Sequence, residues 1–114
     1  MPLLKIKTNK SLDTDTMKAL ATGASATVAG MLGKPERYVM VSVETNPAML
    51  FGGSDAPLAY LELKSIGLPE NRTSEFSAGL AALLGEHLNL PPDRIYIEFA
   101  DAPRSMWGWN GGTF

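Results

Sequence analysis

Polar and apolar residues alternate with a period of two over four stretches, 3–8, 38–44, 59–65 and 95–100, each rich in β-branched or aromatic side chains. Successive side chains of a strand point to opposite faces, so each stretch predicts a half-buried strand. Between the first pair, Met17, Leu20, Ala21, Ala24, Val28 and Met31 recur at helical spacing and predict an amphipathic helix. Asp13 ahead of it is a suitable N-cap, and Gly33 behind it a suitable stop. Between the second pair, Phe76, Leu80, Leu83, Leu84 and Leu88 make the matching stripe, with Asn71 as the expected cap.

The two halves also read alike. Leu4-Lys5-Ile6-Lys7 returns 57 positions later as Leu61-Glu62-Leu63-Lys64, and Lys34-Pro35-Glu36-Arg37 returns at the same offset as Pro91-Pro92-Asp93-Arg94. The register then slips by one, so that Tyr38-Val39-Met40-Val41 answers Tyr96-Ile97-Glu98-Phe99. Two matches in the same order predict a doubled unit, with pseudo-repeats of about 1–57 and 58–114 in one domain spanning 1–114. Each unit reads strand, helix, strand, and a crossover of that length favours parallel pairing with a right-handed connection. The expected fold is α+β: a duplicated βαβ unit forming a four-stranded mixed sheet with both helices on one face.

Leu4, Ile6, Val39, Val41, Val43, Leu61, Leu63, Ile97 and Phe99 then meet the helices. The opposite face carries Lys5, Lys7, Tyr38, Met40, Ser42, Tyr60, Glu62, Lys64, Tyr96 and Glu98. Such a mixed, aromatic face has two readings. It is the wet side of an open sheet, or it faces an interior that subunits enclose by joining edge to edge, which also covers the sheet edges.

Composition narrows the chemistry. At 114 residues the chain fits one domain with a modest core, so self-association is in play. Ten Lys+Arg against twelve Asp+Glu, with no run of five like charges, argue against a counterion-releasing nucleic-acid binder. The absence of Cys excludes disulfides, thiolate metal sites and thiol redox chemistry. One histidine, His87, leaves no histidine metal cage and no Ser-His-Asp triad within a subunit, and neither a metal nor another cofactor is expected. Lys5 and Lys7 interrupt any apolar leader, and no window approaches the roughly 18 apolar residues of a membrane span. A cytoplasmic protein without membrane contact is therefore expected, and the Asn71-Arg72-Thr73 sequon reads as chance. Gly52-Gly53 reads as a turn, because no Gly-Lys-Ser/Thr follows it to open a helix.

Several strings together resemble the macrophage migration inhibitory factor family of the tautomerase superfamily. They are Met1-Pro2, Gly33-Lys34-Pro35, Phe51-Gly52-Gly53-Ser54, Lys64-Ser65-Ile66-Gly67, Asn71-Arg72, Pro92-Asp93-Arg94-Ile95-Tyr96-Ile97, Gly108-Trp109-Asn110 and Thr113-Phe114. The resemblance spans the whole chain and implies a homotrimer of duplicated βαβ units. It implies keto–enol tautomerisation of α-keto acids such as phenylpyruvate, or of dopachrome-like molecules, with Pro2 as general base. The alternative is a cytokine-like binding protein of the same fold whose pocket is vestigial; the sequence identifies no receptor.

Pro2 becomes a base only when Met1 is removed, because the nitrogen is then a secondary amine rather than an amide. An ordinary terminal amine has a pKa of about 7.7–8.0, and burial or a nearby cation lowers it. The plain reading of Pro2 is the start of an edge strand, where a missing N–H costs little. The resemblance further implies that Lys34 meets the substrate carboxylate and that the Ile66 N–H donates to a substrate oxygen. Tyr38, Tyr96, Trp109 and Phe114 are implied as aromatic walls, those after the last strand being supplied by the neighbouring subunit. Lys64, Ser65, Glu98 and Trp107 complete the expected substrate-binding set. Animal members often have His at Lys64, Asn at Glu98 and a small aliphatic residue at Trp107. These departures bear on substrate preference and leave the base untouched.

Overall fold

A computed structural model describes residues Met1–Phe114. Strand β1 (Leu3–Thr8) is followed by helix α1 (Thr14–Leu32) and strand β2 (Met40–Thr45). Strand β3 (Ala59–Ile66), helix α2 (Thr73–Leu88) and strand β4 (Ile95–Ala102) repeat the arrangement, and the two-residue strands β5 (Gly108–Trp109) and β6 (Gly112–Thr113) close the chain. The main sheet runs β2-β1-β3-β4. Each βαβ unit pairs its strands in parallel, and the units join through antiparallel β1 and β3. In that join Lys5 faces its repeat counterpart Glu62, and the flanking pairs Leu4–Leu63 and Ile6–Leu61 exchange about a local two-fold.

Binary patterning predicts the core well. Leu4, Ile6, Leu61 and Leu63 from the central strands are buried with Leu20, Ala24 and Val28 of α1 and with Phe76, Leu80, Leu83, Leu84 and Leu88 of α2. Val39, Val41, Val43, Ile97 and Phe99 pack against them half-buried, as edge strands dictate. Full burial of a Leu or Phe side chain contributes about 1.5–3 kcal/mol, so this layer dominates stability.

Helix α1 starts where the Asp13 carboxylate accepts the Thr16 N–H at 2.7 Å and stops at Gly33, whose φ of 63° is left-handed. The second cap differs from expectation. Asn71 lies in a 3₁₀ turn (Glu70–Arg72), Arg72 is the residue before α2, and no side chain caps the helix. Arg72 instead pairs with Glu75 at 2.9 Å within the first turn. Strand β2 begins two residues later than the alternation predicts, because Pro35 leads into a 3₁₀ turn (Glu36–Tyr38) that takes Tyr38 out of the sheet. Phe51 and Ser54 bridge across Gly52 and Gly53, whose φ values of 60° and 75° only glycine adopts without strain. No helix is long and apolar enough to cross a membrane.

Candidate active site

Pro2 sits at the entry to β1, where its lack of an N–H is tolerated and its carbonyl accepts the Met40 N–H at 2.9 Å. Its side chain is fully buried. The Met1 amine just ahead donates to the Tyr38 carbonyl at 3.0 Å, pinning the chain start to the turn before β2. Burial, and then the positive charge of Lys34, push this amine below its ordinary pKa of 8.0.

Beside Pro2 opens a cavity of about 820 Å³. Its aromatic wall is built by the C-terminal hairpin. Asn110 and Gly111, with φ of 52° and 77°, form the tight turn that reverses the chain between β5 and β6. The Phe114 N–H reaches the Trp107 carbonyl at 3.1 Å, and Arg104 Nε donates to the Phe114 carbonyl at 3.1 Å. Trp109 and Phe114 stack with centroids 5.3 Å apart, and both meet the Tyr38 ring edge-on at 5.4 and 5.8 Å. Edge-to-face pairs add about 0.5–1.5 kcal/mol each beyond area burial, so the wall has a defined shape.

Of the residues expected from sequence, Pro2, Tyr38, Lys64, Trp107, Trp109 and Phe114 line this one cavity. Lys34 stands outside the lining but acts on the amine through its charge. Ser65 and Ile66 are buried on β3, where the Ser65 hydroxyl points to the Ile66 carbonyl at 3.4 Å, and neither lines the cavity. Tyr96 and Glu98 are elsewhere on β4. Tyr96 packs on Phe51 with centroids 4.4 Å apart, and Glu98 accepts the Tyr60 hydroxyl. That hydroxyl also lies 3.1 Å from Glu62, and one proton does not serve two carboxylates at once. Glu98, burial and Glu62, in that order, hold the Tyr60 phenol above its usual 10.

Within the chain, Trp109 and Phe114 pack on Tyr38 because the Asn110-Gly111 turn brings the tail back. Arg37, Met106 and Asp101 also line the cavity without having been singled out. Arg37 was legible only as a charge beside Tyr38. Its place on the cavity follows from the 3₁₀ turn, which period-two alternation does not report. Asp101 accepts the Leu68 N–H at 3.0 Å, a tertiary contact without local sequence signal.

A duplicated βαβ sheet with a buried proline at the mouth of an aromatic cavity defines a recognisable class of small α+β protein. The chain belongs to the family described as macrophage migration inhibitory factor (MIF), whose model matches residues 1–114. It is 42% identical to a macrophage migration inhibitory factor homolog of Brugia malayi over 115 residues, covering 100% of this chain and 99% of that protein. The crystal structure of a homologue from Prochlorococcus marinus superposes with a TM-score of 0.92 at 42% identity, covering 98% of each chain. The Trichinella spiralis structure gives 0.89 at 34% identity, covering 98% of this chain and 99% of that one.

Proposed function

We propose that this chain is a keto–enol tautomerase acting on α-keto acids of the phenylpyruvate type, with Pro2 as the general base once Met1 has been removed. The observation that carries the reading is the position of Pro2, buried at the edge of an aromatic cavity beside an amine that burial and Lys34 already depress. Burial disfavours the charged form of a free proline nitrogen there and so favours the free base. It takes the proton from the carbon between ring and ketone, and the electron pair moves onto the carbonyl oxygen as enolate. The resulting ammonium then gives its proton to that oxygen, which completes the enol and restores the base. The family resemblance assigns Lys34 to the substrate carboxylate and the Ile66 N–H to a substrate oxygen, both from just outside the lining residues, and the aromatic wall receives the ring. While Met1 is attached, the Pro2 nitrogen is an amide and carries no basic lone pair.

We assign the working form as a homotrimer. Tyr96 is 65% exposed on the edge strand β4, and Glu98 on the same face is also exposed, so both present surface that a neighbouring subunit could cover. The sheet edges at β2 and β4 have no partner within the chain. Phenylpyruvate tautomerisation by protein of verified N-terminal mass tests the activity. Light scattering tests the assembly: a monomer at micromolar concentration with full activity contradicts it.

A further inference from the structure

Two cations line the cavity, Arg37 and Lys64. Neither is neutralised, since the one ion pair in the chain is Arg72 with Glu75 on α2. The single acid on the lining, Asp101, has one carboxylate oxygen committed to the Leu68 N–H. Glu98 does not line the cavity and is turned to Tyr60. Lys34 contributes a third positive charge near the chain start. For a monocarboxylate keto acid held by Lys34, two of these three cations have no task.

The Arg37 guanidinium lies 4.8 Å from the centroid of the Tyr38 ring. Stacking on a wall residue restrains an otherwise mobile side chain, and a planar fork of donors suits a carboxylate bound in two-point fashion. We propose that the cavity selects substrates with two anionic ends, 2-oxo acids carrying a second carboxylate on the aryl or alkyl group, and that Arg37 receives that second carboxylate. The assignment rests on the tautomerase reading for which end of the substrate faces Pro2. Lys64 adds to the field without choosing between the two ends.

Trp107 and Trp109 are the two tryptophans of the chain and both line the cavity, so intrinsic fluorescence reports its occupancy directly. The test titrates the trimmed protein with two unreactive probes, phenylacetate and 4-carboxyphenylacetate. The dianion should bind at least about tenfold more tightly, as expected for one added charge-assisted contact. Arg37→Gln should bring the ratio of the two affinities towards one, and Arg37→Lys should restore part of it. Equal binding of both probes by the wild type overturns the proposal, as does a ratio that Arg37→Gln leaves intact. A parallel comparison of kcat/KM for phenylpyruvate and (4-carboxyphenyl)pyruvate separates the two claims. Dianion preference in the titration without turnover of either keto acid keeps the selectivity and removes the tautomerase. Turnover of phenylpyruvate with no dianion preference in either assay does the reverse.

Discussion

The Arg94 guanidinium donates from Nη1 to the Phe51 carbonyl at 2.9 Å while lying 5.1 Å from the centroid of the Phe51 ring. It also donates to the carbonyls of Ser54, Ala56 and Pro57, so one side chain from the turn before β4 holds the loop that crosses between the two βαβ units. A lysine keeps the charge but not the fork. Arg94→Lys should therefore lower the urea midpoint by the equivalent of about 1–2 kcal/mol with an unchanged m-value. A midpoint equal to wild type would mean the loop is held by its Gly52-Gly53 turn alone.

Gly23 on α1 lets the second helix come close. A Cβ added there would fall 2.8 Å from His87 Nε2 on α2. Alanine in a helix interior is favoured over glycine by about 1 kcal/mol, and the imidazole must shift before that gain appears. Gly23→Ala should thus stabilise less in the wild type than in a His87→Ala background. A double-mutant cycle on denaturant midpoints reads the difference; strict additivity would show that the ring moves aside without cost.

Asp13 caps α1 through the Thr16 N–H, and that hydrogen bond pulls its carboxyl below the usual value. A depressed folded-state pKa stabilises above the unfolded value and is lost as pH falls through the folded one. Asp13→Ala should accordingly lower the denaturant midpoint at pH 7, and the gap between variant and wild type should close at pH well below about 3.9. A gap that is constant from pH 7 to pH 2 would assign the effect to helix propensity rather than to the cap.

Much of this molecule is written locally. The α2 stripe Phe76, Leu80, Leu83, Leu84 and Leu88 is buried in full because helical periodicity and a single apolar layer demand the same residues. The α1 stripe is thinner: Leu20, Ala24 and Val28 are buried, whereas Met17, Ala21 and Met31 remain half-exposed at its margins. The site is legible only in part. Tyr38, Lys64, Trp109 and Phe114 converge because a 3₁₀ turn, a strand pairing and a hairpin bring distant positions together, and the family resemblance supplied that convergence where periodicity did not. Arg37 and Asp101 reach the cavity through the same tertiary geometry and carry no motif of their own.

Lys34→Ala should act on both binding and the base. Loss of a charge-assisted contact should raise KM for phenylpyruvate by roughly 10- to 150-fold, equivalent to about 1.5–3 kcal/mol. Lys34 depresses the Met1 amine one residue ahead of Pro2, and removing a cation near the Pro2 nitrogen should likewise move the pH–rate midpoint of the trimmed protein upward. Unchanged KM and an unchanged midpoint would reduce Lys34 to a surface loop residue.

The most direct test of the account is kcat/KM for phenylpyruvate tautomerisation across pH, measured on two preparations whose N-terminal mass is verified, one beginning at Pro2 and one retaining Met1. For the trimmed protein the rate should rise with pH through a single ionisation below the ordinary terminal-amine range of about 7.7–8.0, then level off as the free amine saturates. The Met1-bearing protein should be slower by about 10²–10⁴-fold, the usual contribution of a positioned general base. Equal turnover by the two preparations would contradict the assignment of Pro2 as the base.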